Sequence, residues 1–170
     1  MLGPSSDLDD VVQEVFLQVH RSIRDFRGNS QFTTWLYRVT VNVVLMHRRA
    51  LRSRPVFSDA PAGHAPSDIR PLPDEQVARL ARIRAFQRLL DRLSDKKRTV
   101  FVLHEIEGLA PAEIAKIVSA PVLTVRTRLF YARRELAAMI HEEPTLASLA
   151  QEIDVAAAAP VSARPRKEPS

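Results

Sequence analysis

The segment from Trp35 to Arg54, WLYRVTVNVVLMHRRALRSR, is mostly apolar yet contains side chains that can contact nucleic acid. A helical projection places four of them along one stripe, namely Trp35, Arg38, Asn42 and Arg49. An asparagine flanked by a tryptophan and basic groups suits hydrogen bonding to an unstacked base whose backbone the arginines hold. The alternative from the residues alone is a core tryptophan beside an asparagine on a solvated face.

A second group of candidate contacts lies between Leu109 and Leu136, in LAPAEIAKIVSAPVLTVRTRLFYARREL. Pro111 suits the first turn of a short helix, Glu113 can reach back to the start of that helix, and Pro121 begins the next helix. The inner face of the short helix is formed by Ile114, Ala115 and Val118. The core stripe of the next helix is formed by Val125, Leu129, Ala132 and Leu136. The segment therefore predicts two helices joined by a turn.

The exposed arc of the second of these helices is basic and carries side chains that can read duplex DNA. Its members are Arg126, Thr127, Phe130, Arg133 and Arg134. Guanidinium groups can contact phosphates or guanine edges, and threonine and phenylalanine can contact thymine methyl groups. Two short helices of which the second is basic predict a helix-turn-helix with its recognition helix. The alternative is a three-helix bundle with a solvated arginine face.

The helices that must position these side chains are predicted from apolar residues at steps of three and four. One amphipathic helix is expected from Asp7 to Phe26, and its inward stripe is Val12, Val15, Val19, Ile23 and Phe26. A second helix begins near Thr33, after RGNSQ breaks the pattern. A third, EQVARLARIRAFQRLLDRL, has its apolar face at Val77, Leu80, Ile83, Leu90 and Leu93. No strand-like alternation is present, so the predicted fold class is all-α.

Prolines divide the chain into two small helical domains. Between Arg54 and Asp74 the prolines, set among small residues, are Pro55, Pro61, Pro66, Pro71 and Pro73, which predicts a flexible linker. We therefore expect a first domain over residues 6–54, a linker over 55–74 and a helix-turn-helix domain over 75–140. Residues 141–170 are predicted to form a disordered tail with one short helix around LASLAQEI.

Composition favours a cytoplasmic protein with an anionic partner, since the formal net charge is +5. The chain has no cysteine for a disulfide or a thiolate metal site, and no apolar run long enough to span a bilayer. It has no glycine loop for phosphates. The histidines, which show no metal-ligand spacing with carboxylates, are His20, His47, His64, His104 and His141. We therefore expect no enzymatic activity, no metal, no cofactor and no membrane insertion.

Three motifs occur in an order and spacing that are specific to one family. They are DVVQEVF at residues 10–16, FRGNSQFTTWLYRVTVN at 26–42 and PVLTVRTRLF at 121–130. With them, the chain from Asp7 to Leu136 resembles, apart from the linker, bacterial RNA polymerase sigma factors of the extracytoplasmic-function class. The resemblance implies a transcription initiation factor that brings the polymerase to specific promoters and helps to melt the −10 element. The alternative is a stand-alone helix-turn-helix regulator, which would give no role to the stripe that contains Asn42.

The resemblance also implies a role for each group of site residues. The residues implied to dock on the clamp helices of the largest polymerase subunit are Asp9, Asp10, Gln13 and Glu14. The candidates for capturing a flipped base of the −10 element, including the stripe described above, are Phe26, Arg27, Asn29, Ser30, Trp35, Arg38, Asn42 and Arg49. The candidates for reading the −35 element are Arg126, Thr127, Phe130 and Arg133, with Arg134 as a phosphate contact. The expected partners are core RNA polymerase, promoter DNA in duplex and single-stranded form, and an anti-sigma factor.

The chain departs from the family pattern at several positions. Ala110 stands where a capping serine is usual, Leu123 where glycine is usual, and Tyr131 where a basic residue is frequent. The resemblance also implies a further helical segment before the DVVQEVF motif, so we expect Met1 to be an internal methionine of a longer protein. Without that segment, the residues expected to be partly uncovered are Tyr37, Val41 and Val44.

Overall fold

The chain is all-α in the computed structural model, which describes residues 7–28, 30–53 and 74–148. Within these ranges the α-helices are Leu8–Ser22 (α1), Phe32–Ser53 (α2), Asp74–Arg92 (α3), Asp95–Phe101 (α4), Pro111–Ile117 (α5) and Val122–His141 (α6). A π-helical turn, Val102–Ile106, extends α4, and 3-10 helices lie at Ile23–Asp25 and Pro144–Leu146. The predicted fold class is therefore confirmed. No helix in the described ranges is long and apolar enough to cross a membrane.

The first block consists of α1 and α2, which pack along each other around a small apolar core. Val11 of α1 is buried there together with Val43 and Val44 of α2. Of the predicted apolar stripe of α1, Val15 packs against this core, whereas Val12 and Ile23 are exposed. The reason is that α1 packs mainly on α2 and buries only the narrow row of side chains that faces that helix.

α1 ends earlier than the helix that the sequence predicts. The hydroxyl of Ser22 donates to the carbonyl oxygen of Gln18 at 2.6 Å, and the chain then tightens into the 3-10 turn Ile23–Asp25. A serine that bonds back to its own helix competes with the regular backbone pattern and favours such an ending. α2 begins at Phe32, next to its predicted start.

The second block, from α3 onward, has a core formed by α3, α6 and the segment after α6. Its buried members are Ala85, Leu89, Leu90, Leu93, Ala132, Leu136, Ile140 and Leu146. The prediction that Val77, Leu80 and Ile83 face inward is wrong, because the buried residues of α3 all lie in its second half. Leu146 is only 2% exposed, so the ordered core reaches into the predicted tail and corrects the boundary at residue 140. The predicted linker, except for Asp74, lies outside the described residues.

α5 and α6 form the helix-turn-helix that the sequence predicts. Pro111 opens α5, and the backbone N–H of Ala110 donates to Glu113 Oε2 at 2.8 Å. Ser119 turns the chain between the helices with a φ of 50°, in the left-handed region. The buried stripe of α6 is Val125, Leu129, Ala132, Leu136 and Ile140. It includes every predicted position and continues one helical turn further.

The two helical blocks contact each other through a shared apolar cluster. Val41 of α2 is 5% exposed and packs against residues of the second block. The buried partners in this cluster are Val100, Leu103, Ile114, Ala115, Ile117, Val125 and Leu129. The expectation that Val41 and Val44 are uncovered is wrong, because the second block covers Val41 and α1 covers Val44. Tyr37 is half-buried in the same interface.

Candidate nucleic-acid interface

A groove of about 840 Å³ runs between α1 and α2 and contains side chains that the sequence assigned to two different tasks. From α2 it is lined by Trp35, Asn42 and Arg49, three of the four residues of the predicted nucleic-acid stripe. From α1 it is lined by Asp10 and Glu14, two of the predicted polymerase contacts. Asn42 and Arg49 are exposed, so their polar groups are available at the surface of this α1/α2 groove.

Arg38 is the member of the stripe that does not line the α1/α2 groove. Its Nη2 donates to the backbone carbonyl oxygen of Lys116 at 2.5 Å, near the end of α5. Carbonyl groups in the last turn of a helix lack partners within the helix and attract cations. Arg38 therefore contacts the second block and lies away from the groove that contains the other three residues of its predicted stripe.

Three aromatic rings form a cluster where the chain enters α2. The ring centroids of Phe26 and Trp35 are 5.3 Å apart, those of Phe32 and Trp35 5.4 Å, and those of Phe26 and Phe32 5.8 Å. Phe32 is 47% exposed, whereas Phe26 and Trp35 are half-buried. Trp35 therefore joins the α1/α2 groove to a cluster with an exposed aromatic surface, and it is neither a fully buried core residue nor a free surface ring.

Phe32 is not among the predicted site residues, although its spacing from Trp35 identifies it. It lies three residues before Trp35, which places both rings on one side of the first turn of α2. Of the loop residues predicted beside it, Arg27 is exposed and Ser30 is half-buried. Asn29 lies outside the described residues.

The predicted polymerase contacts on α1 are all exposed but do not share one surface. The four residues are Asp9, Asp10, Gln13 and Glu14. Asp10 and Glu14 are four residues apart and line the α1/α2 groove, whereas Asp9 and Gln13 lie outside its wall. Asp9 and Asp10 stand in the first turn of α1, where the helix dipole favours carboxylates.

The exposed arc of α6 presents every side chain that the sequence predicts to contact duplex DNA. These exposed residues are Arg126, Thr127, Phe130, Arg133 and Arg134. A shallow pocket of about 500 Å³ lies between this arc and the residues His104 and Pro111. The hydroxyl of Thr127 donates to the carbonyl oxygen of Leu123 at 2.9 Å within its own helix. The arc is therefore a basic surface with an apolar ring at its centre.

Arg133 differs from the other basic side chains of this arc because it is ion-paired. Its Nε donates to Glu105 Oε1 at 2.7 Å, and its Nη2 lies 2.6 Å from the same oxygen. Both side chains are well exposed to water, and exposed ion pairs contribute little to stability. A phosphate can therefore replace the carboxylate of Glu105 at small energetic cost.

A cluster of three arginines and two aspartates joins the end of α2 to α3 and α4. Arg48 Nη1 donates to Asp91 Oδ1 at 2.9 Å, and Arg48 Nε donates to Asp95 Oδ1 at 3.1 Å. Arg52 also donates to Asp95, and Arg98, which is 1% exposed, donates to Asp91. We refer to these five residues as the arginine–aspartate cluster. Nothing in the sequence predicts this cluster, because its partners lie far apart in the chain and form no motif.

The arginines of this cluster keep both carboxylates ionised. Burial raises the pKa of Asp91, but hydrogen bonds and charges from Arg98 and Arg48 outweigh burial and hold the pKa below its ordinary value. Burial likewise raises the pKa of Asp95, and Arg48 and Arg52 together lower it below its ordinary value. Among the described residues, no group of three or more histidines and carboxylates is placed to hold a metal ion.

Two family profiles match this chain, and they correspond to its two blocks. Residues 1–54 match the profile described as Sigma-70 region 2, and residues 83–136 match the profile described as Sigma-70, region 4. The second match includes α5, the turn and α6 as far as Leu136, the last residue of the predicted core stripe.

Curated relatives are similar over most of their length. The ECF RNA polymerase sigma-E factor of Escherichia coli (strain K12) is 38% identical over 141 residues, which cover 78% of this chain and 73% of that protein. The RNA polymerase sigma-H factor of Pseudomonas aeruginosa is 35% identical over 140 residues, which cover 78% of this chain and 72% of that protein.

Two solved structures share the arrangement of the helices. CnrH in complex with the cytosolic domain of CnrY aligns with a TM-score of 0.58 and 27% identity, covering 82% of this chain and 75% of that one. The sigma factor RpoE in complex with the anti-sigma factor NepR, from Bartonella quintana, aligns with a TM-score of 0.56 and 21% identity, covering 79% and 81%. The likeness to RpoE concerns the fold alone.

Proposed function

This chain belongs to the RNA polymerase sigma factors of the extracytoplasmic-function class, and from that premise we propose how its two blocks divide promoter recognition. It is a transcription initiation factor and not an enzyme, since the polymerase performs the nucleotide chemistry. We propose that the domain over residues 6–54 binds the polymerase and a melted −10 strand. The helix-turn-helix domain, whose core extends to Leu146, reads the −35 element as duplex DNA.

The observation that carries the −10 assignment is the shared position of Trp35, Asn42 and Arg49 in the α1/α2 groove. An amide can hydrogen-bond the edge of an extruded base, and a guanidinium can hold the neighbouring phosphate. Trp35 connects this groove to the exposed ring of Phe32, on which a base can stack. We therefore assign the strand to this groove, with Asn42 reading a base and Arg49 holding the backbone.

The residues around the aromatic cluster complete the proposed −10 site. The rings of Phe26 and Phe32 pack edge to face, with their centroids 5.8 Å apart. We assign Arg27 and Ser30, in the loop before α2, to contacts with the sugar-phosphate backbone. Basic groups that flank a stacking surface are the usual arrangement for binding single strands.

The exposed carboxylates of α1 are proposed to dock on the clamp helices of the largest polymerase subunit. Complementary charge at such interfaces sets the register and raises the rate of association. Asp10 and Glu14 border the α1/α2 groove, so a polymerase docked there would lie directly beside the strand held by Asn42. Asp9 and Gln13 would extend the contact along the exposed side of α1.

The exposed arc of α6 is proposed to enter the major groove of the −35 element. Arg126 can donate two hydrogen bonds to a guanine edge, and Phe130 can contact a thymine methyl group together with Thr127. Arg134 is assigned to a phosphate, which fixes orientation and carries no base preference. Arg133 would exchange Glu105 for a phosphate on binding.

We further propose that this factor acts in the cytoplasm and is controlled by an anti-sigma factor. Support comes from RpoE, which is bound to the anti-sigma factor NepR, and from CnrH, which is bound to the cytosolic domain of CnrY. Both factors share the arrangement of helices seen here, which supports control by a partner of the same kind.

Reconstituted transcription tests the proposed division of work. Core RNA polymerase and this protein are incubated with sheared genomic DNA, and the 5′ ends of the transcripts are sequenced to define the promoters. We expect start sites that depend on the protein and share two upstream elements. Arg126→Ala should change sequence preference at the −35 element, and Asn42→Ala should change it at the −10 element. The assignment would be contradicted if Arg126→Ala changed the preference at the −10 element and Asn42→Ala changed it at the −35 element.

A further inference from the structure

The basic end of α2 is divided between the α1/α2 groove and the second block. Arg49 is exposed and lines the groove, where the −10 strand is proposed to lie. Arg48 directly precedes it and Arg52 follows three residues later, and both donate instead to the aspartates of the second block. Residues three apart on a helix are surface neighbours. A strand that contacts Arg49 therefore passes within reach of Arg52.

The two aspartates present fixed negative charge to α2. Asp91 is held by the buried guanidinium of Arg98, and Asp95 stands in the first turn of α4. Arginine binds carboxylates and phosphates with the same planar fork of donors. Asp91 and Asp95 thus offer Arg48 and Arg52 the contacts that consecutive phosphates of a DNA strand would offer.

The same arrangement also occupies Arg38, the remaining cation of the predicted stripe. Its guanidinium donates to the carbonyl oxygen of Lys116, and the neighbouring Tyr37 hydroxyl donates to Glu107 Oε2 at 3.1 Å. Three of the basic side chains of α2 are therefore bound to the second block at once.

The side chains of Arg52 and Asp91 are well exposed, whereas those of Arg48 and Asp95 are 13% and 19% exposed. Water and competing anions can therefore replace the contact of Arg52 more readily than those of Arg48.

We propose that Asp91 and Asp95 substitute for DNA phosphates on Arg48 and Arg52, so that the second block and a DNA strand compete for the end of α2. The proposal rests on the proposed binding of the −10 strand along α2. Arg48 and Arg52 are then additional DNA-binding residues, which DNA cannot reach while they are paired with Asp91 and Asp95. The contact between the two blocks would then inhibit the binding of single strands by this chain.

Fluorescence anisotropy of the full chain with labelled oligothymidylate tests the competition without a promoter. Asp95→Asn removes one anion from the cluster and keeps the shape of the side chain. The matched control Glu135→Gln also removes one anion, from an ion pair with Lys97 inside the second block. We expect Asp95→Asn to tighten binding about three- to tenfold and Glu135→Gln to stay within about twofold. Equal tightening would reflect net charge alone and overturn the proposal.

Arg52→Gln provides the decisive comparison, because its effect must depend on Asp95. In the wild-type chain Asp95 occupies Arg52, so the substitution should change oligothymidylate affinity less than about twofold. In the Asp95→Asn background Arg52 is free, and the same substitution should weaken binding about threefold or more. The same loss in both backgrounds overturns the competition. If Asp95→Asn fails to fold by circular dichroism, Asp95→Ser, which also removes the charge, replaces it.

Energy transfer between the two blocks supplies a second readout. The chain has no cysteine, so dyes can be placed at exposed positions through His20→Cys and Ala112→Cys. We expect oligothymidylate to lower the transfer efficiency, and an unchanged efficiency at saturating DNA would refute the displacement. Arg49→Gln separates the two hypotheses. If it leaves affinity unchanged, the −10 role of α2 fails; if it weakens binding while Asp95→Asn matches its control, only the competition fails.

Discussion

The buried guanidinium of Arg98 donates to the same carboxylate oxygen of Asp91 that accepts a hydrogen bond from Arg48 of the first block. The carboxylate of Asp91 therefore compensates the charge of Arg98 inside the second block and also connects the two blocks through Arg48. Burial disfavours the charged form and lowers the pKa of Arg98, and the hydrogen bond from Asp91 opposes that shift. The Nε atom of Arg98 has no hydrogen-bond partner among the described residues, which increases its dependence on Asp91.

Removal of the Asp91 carboxylate should destabilise the protein strongly. Asp91→Ala leaves the charge of Arg98 buried without its partner, and such a loss costs about 3–5 kcal/mol of unfolding free energy. Glu135→Ala removes an exposed carboxylate from its pair with Lys97 and should cost at most about 1 kcal/mol. Urea denaturation followed by circular dichroism measures both values. Similar losses for the two variants would show that Arg98 does not depend on Asp91.

Acid should lower the free energy of unfolding by protonating the carboxylates of Asp91 and Asp95. The pKa values of Asp91 and Asp95 are lowered in the folded chain, so their stabilising contribution is fully present above the ordinary aspartate pKa of about 3.9. This contribution is lost as the pH falls from about 3.9 through the lowered pKa values of the two aspartates. Urea midpoints measured from neutral pH down to this window should fall more steeply in the wild type than in Asp95→Asn. Parallel curves would contradict the assignment.

Arg126 and Arg134 should differ in what their loss does to DNA binding. Arg126→Ala should weaken binding to the preferred −35 duplex by about 1–3 kcal/mol and relax preference at one base pair, because it removes a base contact. Arg134→Ala should weaken all duplexes alike and make the dependence of log K on log salt less steep, because it removes a phosphate contact. Competition with duplexes substituted at single positions measures both. Intact −35 discrimination in Arg126→Ala would place the recognition face elsewhere.

The sequence was sufficient for elements whose partners lie nearby in the chain. Pro111 and Glu113 define the start of α5 through local backbone chemistry, and the spacing of Val125 and Leu129 defines the buried face of α6. Both features depend on contacts within one turn or between neighbouring helices. For that reason a helical projection and the rules of capping predict them without knowledge of the fold.

The features that the sequence did not predict depend on packing between distant segments. Val41 looked uncovered because its partners in the second block lie beyond the linker. Helical phase placed Arg38 on one stripe with Asn42, yet its long side chain reaches the end of α5. Arg48 carried no signal at all, since an arginine beside other arginines does not reveal aspartates more than forty residues away. Periodicity gives the face of a helix but not the surface that meets it.

Charge reversal on α1 should separate polymerase docking from recognition of duplex DNA. The double variant Asp10→Lys with Glu14→Lys should abolish binding of core RNA polymerase, because complementary charge sets the register of such interfaces. Binding of the full chain to a −35 duplex should be retained. Asp25→Lys with Glu142→Lys, at exposed positions outside the groove, changes the net charge equally and serves as the control. Normal assembly of the first variant with core enzyme would reject the docking surface.

Asn42→Ala should impair opening of the −10 element more than it impairs binding of the closed promoter. The hydrogen bonds of Asn42 form only after a base has left the stack, so they stabilise the melted state selectively. Since each hydrogen bond contributes about 0.5–1.5 kcal/mol, we expect about a tenfold loss of open complexes in permanganate footprinting. Binding to the intact duplex in a gel-shift assay should change less than about twofold.

A promoter whose −10 region is already mismatched provides the control for Asn42. On such a template no duplex has to be melted, but the extruded base is still available, so the hydrogen bonds of Asn42 act on affinity directly. Asn42→Ala should then weaken binding of the polymerase holoenzyme to the open template by the same factor by which it reduced opening of the intact promoter. Arg49→Gln should weaken binding to the intact promoter and to the mismatched promoter. It should also make the dependence of log K on log salt less steep, because it removes a phosphate contact. Equal losses on intact duplex and at the melting step for Asn42→Ala, or no loss at either, would return Asn42 to an ordinary exposed helix residue.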